Sequence, residues 1–424
     1  MSAVTAFSPA APAVGDAGVR HDADVRLLRR CLQAILIGAI PLQRFGFQLG
    51  SSEISLGLAI TLAALGVLTI RRVVRIDPWR LALLALSVAT LSVSVMLNSA
   101  TSSLPSFMLF VAIYLTLAFV TATGWDFYRD IVRTFLNLVL VCAALGTVQF
   151  IVQFVVNPPW LFTFKGGLPD GVLMHAFNTA VPLSYGATTF KSNGFLLLEP
   201  SMFSQYLALA LLLELLFFKR WWRLAAYAAP LPLSFSGTGL LLLSVFLPLI
   251  VLHLRAYRYV LGGFVLAIVA VALGDLWHMD QLVARLGELN STQTSGFARF
   301  LSPVWLLRDW VYDSLSGLLF GLGPGSITDA LKQMPYEAFD PTWGKLLFEY
   351  GLVGTLAFSI FFIACLFTSA HSRWVSGFLL FSYVLLGGML LDPRMNALIL
   401  VLGTLQRPRS ASGPASGLAL GQLR

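Results

Sequence analysis

Apolar runs of about twenty residues recur along almost the whole chain, separated by short stretches that carry most of its charge. A helix needs roughly 20 such residues to cross the hydrocarbon core of a bilayer, and its backbone must satisfy its own hydrogen bonds there. This pattern predicts an all-α fold, a polytopic transmembrane helical bundle. The runs fall at about 26–43, 54–70, 80–97, 104–123, 133–155, 197–218, 224–236, 238–254, 257–274, 343–369, 375–391 and 395–406. The seventh and twelfth are short, so the expected count is about 12 within a range of 10–12.

Composition agrees: 57% of the 424 residues are apolar and 11% charged, whereas a soluble domain is about a quarter charged. Cys31, Cys142 and Cys365 lie in apolar stretches without metal or redox spacing, and read as small buried hydrophobes. The net charge of +8 does not form a nucleic-acid patch, because the basic residues sit in clusters between spans. Alternating the spans puts 19 of the 28 Lys and Arg on one face, which the positive-inside rule makes cytoplasmic. Both termini then lie inside. Residues 1–25 and 407–424 read as disordered cytoplasmic tails flanking a transmembrane domain over 26–406, and the first tail lacks the apolar core of a signal peptide.

Two long loops, 156–196 and 275–342, emerge on the opposite face and are the expected place for a site. The first ends Lys191-Ser-Asn-Gly-Phe-Leu-Leu-Leu-Glu199-Pro-Ser. Glu199 and Pro200 suit the first turn of a helix and its positive dipole; equally, Lys191 and Glu199 suit a charged or hydroxylated substrate. In the second loop Arg299, Arg308, Asp309 and Asp313 accompany an apolar stripe of Leu301, Trp305, Leu306 and Trp310, the pattern of an amphipathic interfacial helix. Gly321-Leu-Gly-Pro-Gly325 lacks the Lys and Thr of a phosphate-binding loop. Glu214 and Glu349 are carboxylates inside spans, but no charged file crosses the midplane, which weakens a transporter reading. The five His are scattered, so no metal site is expected.

Three segments resemble the O-antigen ligase and polysaccharide polymerase superfamily of bacterial envelopes. They are Phe190-Lys-Ser-Asn-Gly-Phe-Leu-Leu-Leu-Glu-Pro-Ser-Met-Phe203, Leu233-Ser-Phe-Ser-Gly-Thr-Gly-Leu-Leu241, and Arg299 with Trp305, Gly321-Leu-Gly-Pro-Gly325 and Asp340…Glu349-Tyr-Gly-Leu-Val-Gly354. The likeness departs at Lys191, where the family usually has Arg, at Ser236-Gly237 in place of Ser-Arg, and at Asp340-Pro341 in place of the ligase His-Asn pair. The missing His points to the polymerase branch, of the kind that builds exopolysaccharides such as xanthan.

The resemblance implies a GT-C-like membrane architecture with two large periplasmic loops. It also implies a polymerase of undecaprenyl-pyrophosphate-linked oligosaccharides at the periplasmic face of the bacterial inner membrane, without metal or cofactor. A chain-length-determining co-polymerase and a flippase are the partners it brings; nucleic acid is not one. Stabilising a departing pyrophosphate requires cations, and Arg above all. Arg299 is therefore expected at the leaving group with Lys191 and Arg308 in support, and Asp340 as general base in the place of the ligase His. Glu199 is a second candidate base, while Trp305 and Lys345 complete the expected substrate-binding set. Asp340-Pro341 also suits a helix cap and first residue, and Trp305, Tyr336 and Trp343 suit an interfacial belt as well as sugar stacking. The alternatives are a ligase that transfers finished glycan and a flippase for lipid-linked oligosaccharides.

Overall fold

The computed structural model describes residues 14–408 except 50–51, 157–159, 165–166, 175–176, 178, 184–186, 256–294 and 337. The ninth expected span, 257–274, and the start of the second long loop lie outside the described residues. The chain is mostly helical, at 69% helix. Five helices are long and apolar enough to cross a membrane: Pro78–Leu97, Trp125–Val152, Pro200–Phe217, Gly237–Leu254 and Thr342–Thr368. Leu56–Ile70, Leu104–Ala118 and Arg373–Leu385 are shorter apolar helices. Large apolar side chains such as Leu86, Met96, Val148, Leu249 and Leu356 are exposed along them. A soluble protein does not leave such surface on long helices, and lipid covers it. The protein is a multi-pass membrane protein.

The Pro200–Phe217 helix is the most enclosed of the five, and 78% of its apolar window is buried. Its neighbour in sequence, expected as the span 224–236, is instead the short helix Trp221–Ala228 followed by one turn at Pro232–Ser234. Pro230 and Pro232 remove the N–H groups that a continuous helix would need. The segment still runs along Pro200–Phe217: Arg220 bonds Glu214 at one end, and Ser204 Oγ donates to the Ser236 carbonyl at the other. Interrupted backbone is tolerated at membrane depth where protein surrounds it.

The fold departs from all-α at both ends of the bundle, where peptide groups leave the helices and pair as short strands. One end carries a three-stranded sheet of β1 (Arg75–Ile76), β2 (Phe119–Thr123) and β3 (Gln406–Pro408), in that order. β1 and β2 pair antiparallel, while β2 and β3 are parallel, with Thr121 opposite Gln406. Here Arg80 is fully buried and donates to the carbonyls of Leu117, Thr404 and Cys365 at 3.0, 2.9 and 2.9 Å, as well as to Ser369. Asp77, which caps the Pro78–Leu97 helix, holds Arg407 at 2.5 Å. The same end gathers Arg29, Asp130 and Arg133. The other end carries an antiparallel hairpin, Gly46–Leu49 with Ser52–Ser55. The helix that precedes this hairpin starts at Val14, twelve residues before the expected span.

Candidate functional site

The Thr342–Thr368 helix is broken at Gly351 (φ 64°, ψ −169°), a conformation open in practice only to glycine. Gly321 adopts the same conformation (φ 75°, ψ −169°) directly opposite. A Cβ on Gly351 would stand 2.4 Å from the Leu319 carbonyl carbon, and one on Gly321 2.4 Å from the Glu349 carbonyl carbon. The break frees carbonyls that the glycine-rich segment then takes up: Leu322 N–H donates to Phe348 at 2.9 Å and Gly323 N–H to Glu349 at 3.0 Å. Ser94 Oγ also donates to the Glu349 carbonyl, at 2.7 Å. The glycine-rich segment and the Glu-x-Gly segment of the sequence are thus two halves of one joint.

That joint fixes a chain of charges. Glu349 is fully buried, and its Oε1 accepts the Gly325 N–H at 2.9 Å. Its Oε2 has no hydrogen-bond partner among the described residues. Lys345, one turn earlier, lies 3.8 Å from Glu349 Oε1 and 2.9 Å from Asp340 Oδ2. Exposure of the three side chains rises from 0% at Glu349 through 13% at Lys345 to 25% at Asp340, so the series leads from the interior to an accessible carboxylate. Asp340 is not the helix cap. Pro341 holds the cap position and Thr342 begins the helix, which leaves the Asp340 carboxylate to Lys345. Phe339, its neighbour, lies under the Arg299 guanidinium, 5.6 Å from ring centroid to Cζ. The Phe339 N–H donates to Ser302 Oγ, which ties the Arg299 helix (Ser295–Phe300) and the next one (Ser302–Trp310) to this site.

Asp340, Lys345 and Glu349 therefore form one series, and Arg299 stacks on Phe339 beside it. Arg308 is largely exposed and pairs with Asp309 at 2.7 Å. Trp305 meets Phe297 and Tyr336 edge-on at 5.0 and 5.5 Å, so its rings pack within an aromatic cluster. In the Ser302–Trp310 helix, Leu306 and Leu307 face inward, whereas Leu301 at its start is exposed.

Lys191 and Glu199 belong to another wall, built on the Trp125–Val152 helix. Gln149, buried on that helix, donates to the Leu161 carbonyl and to Asn193 Oδ1, both at 2.9 Å. Its Oε1 accepts Ser192 Oγ at 3.1 Å. The Lys-Ser-Asn-Gly segment is thus clamped onto a span through Ser192 and Asn193, and half-buried Lys191 stands at its edge. Glu199 occupies the cap of Pro200–Phe217, but its side chain accepts from Ser201 Oγ at 2.9 Å rather than from the backbone. Thr238 Oγ1 donates to the Ser201 carbonyl at 3.0 Å, which joins the Ser-Gly-Thr-Gly segment to the same wall.

Two arginines escaped the sequence reading. Arg44 donates to the carbonyls of Phe162 and Leu197 at 2.6 and 2.9 Å and stacks 4.4 Å from the Phe164 ring. Burial pushes its pKa down to about 9, and its Nη2 has no partner among the described residues. Arg394, 3% exposed, bonds Asp392 at 2.7 Å and leaves Nη1 without one. In the sequence both are lone Arg residues within a few positions of an apolar run, on the face poor in Lys and Arg, and that placement is the one local signal they carry. Among the described residues no three His, Cys, Asp or Glu cluster as metal ligands.

The sequence profile of the WcaD colanic acid polymerase family matches residues 33–337, which is more than half of the chain. The protein belongs to that family. No curated protein matches it. Membership makes the chain a Wzy-like polysaccharide polymerase, an enzyme of the glycosyltransferase type that polymerises repeat units. The family match holds the Arg299 helix, the Lys191 clamp and the glycine-rich segment. It stops short of Asp340, Lys345 and Glu349, which the Gly321–Gly351 joint attaches to it.

Proposed function

We propose that the protein joins undecaprenyl-pyrophosphate-linked oligosaccharide repeats at the periplasmic face of the inner membrane. The growing chain is the donor and leaves its lipid pyrophosphate, while a sugar hydroxyl of the incoming repeat attacks. The observation that carries this reading is Arg299 stacked on Phe339, the residue next to Asp340, within a chain of the polymerase family. A guanidinium offers a planar fork to the leaving pyrophosphate. A carboxylate beside it takes the acceptor proton as the new glycosidic bond forms. Lys345 pairs with Asp340 at 2.9 Å and orients its carboxylate, and Glu349 flanks Lys345 at 3.8 Å. Lys191, Glu199 and Arg308 contribute to holding the glycan or its pyrophosphate. Pyrophosphate is already an activated leaving group, so the transfer needs no metal.

A strain deleted for this protein tests the reading, with its lipid-linked glycans extracted and sized by mass spectrometry. Single repeats on the lipid carrier, without polymer, are expected. Full-length polymer left on its carrier would mean a ligase instead, and repeats trapped on the cytoplasmic face a flippase.

A further inference from the structure

A cavity of about 170 Å³ lies between Glu53–Ser55 of the hairpin, Met174 and Phe177, and the start of the helix Pro393–Ile399. It is lined by Glu53, Ser55, Leu109, Met174, Phe177 and Arg394, among others. Arg394 is nine-tenths buried and more, yet its Nη1 has no partner among the described residues. An unpaired guanidinium N–H at such depth costs free energy that an occupant would return. The lining is not cationic overall, because Asp392 already holds one edge of Arg394 and Glu53 adds a second carboxylate. A phosphate is therefore disfavoured. A neutral hydroxylated ring fits: Arg394 donates to a ring hydroxyl, the Glu53 carboxylate has lone pairs enough to accept from a neighbouring hydroxyl in addition to its own partner, and the apolar walls cover the C–H faces.

The stretch of chain that ends at the cavity starts beside Asp340. Thr342 Oγ1 donates to the Gly387 carbonyl and accepts the Met389 N–H, each at 3.0 Å. A Cβ on Gly388 would stand 3.1 Å from Asp340 Oδ1. The same strand of chain runs on through Leu391 and Pro393 to Arg394. We infer that this cavity is a sugar subsite that holds one ring of the glycan, by way of Arg394 and Glu53. The inference rests on the polymerase reading for where its glycan comes from.

The test uses the purified full-length protein and the free repeat oligosaccharide released from its lipid by mild acid, with binding followed by saturation-transfer NMR. Four forms are compared: wild type, Glu53→Gln, Leu109→Trp to fill the cavity, and Arg299→Ala. Wild type and Arg299→Ala are expected to bind alike, and the other two about tenfold more weakly, the worth of one charged hydrogen bond. Equal binding by all four forms overturns the subsite, as does loss confined to Arg299→Ala. Displacement of the sugar by inorganic pyrophosphate in wild type but not in Arg299→Ala places the glycan at Arg299 and also overturns it. Polymer formation by the wild type is scored separately, so a sugar-binding cavity in a protein that makes no polymer refutes the polymerase reading alone.

Discussion

Arg80 and Arg394 stand in nearly the same local sequence, three and two residues after an Asp followed by Pro, at the start of a helix and deep in protein. Their fates differ. Arg80 bonds four acceptors from three separate stretches of chain and keeps only Nε without a partner. Arg394 hydrogen-bonds Asp392 alone among the described residues and stacks on Phe177, and the end of the bundle it occupies also holds the unmatched Nη2 of Arg44 and Oε2 of Glu349. Unpartnered buried atoms such as Thr404 Oγ1 occur at the first end too, but the fold itself holds the Arg80 guanidinium at four points. At the other end Asp392 is the one hydrogen-bond partner of Arg394 among the described residues, and the residues expected to do chemistry gather there. A buried polar group left unpaired in a native protein asks for an explanation, and a substrate supplies one.

The sharpest way to break this contrast is Arg80→Met. Three backbone carbonyls would lose their donor, at about 1–3 kcal/mol each. Loss of folded protein from detergent extracts is expected, whereas Arg394→Met should still accumulate. Next comes Gly351→Ala, which forces a side chain into a glycine-only conformation and against the Leu319 carbonyl, for about 1–3 kcal/mol from the backbone alone. A lowered melting temperature is expected, and Gly321→Ala should match it. Lys345→Met should follow, because it strands the Asp340 and Glu349 carboxylates; the check is a polymer yield that falls further than the amount of protein.

The smallest effect concerns acid. Burial alone would raise the Asp77 carboxyl, but the Arg80 backbone N–H and the Arg407 charge outweigh it and hold it below the usual carboxylate range. The stability it lends is present above the ordinary Asp value of about 4 and is lost as pH falls through the lower folded value. A melting temperature that drops between about pH 5 and 3 in wild type, and less in Asp77→Asn, would bear this out.

Much of the fold is legible in the sequence because lipid imposes one rule at every crossing. The apolar runs at 80–97, 197–218, 238–254 and 343–369 match helices almost to the residue. The run at 224–236 reads as a span by hydropathy, yet Pro230 and Pro232 break it, and tertiary contacts with Pro200–Phe217 and, through Arg223 and Tyr227, with Trp125–Val152 keep it in place. The short strands were invisible, since two or three residues at a bundle end carry no periodicity. At the site, residue types pointed to Arg299 and Asp340, but not to what unites them. That union depends on Phe339 and on two facing glycines thirty residues apart, which no local pattern announces. Arg44 and Arg394 were hidden because a lone Arg looks alike on a surface and in a core.

The most direct measurement reconstitutes the purified protein in liposomes with single lipid-linked repeats and sizes the products, for wild type and for Asp340→Asn at equal amounts of folded protein. A ladder of polymer is predicted from wild type and none from Asp340→Asn, with its melting temperature unchanged. Equal ladders from both would remove Asp340 from the chemistry and contradict the site described above.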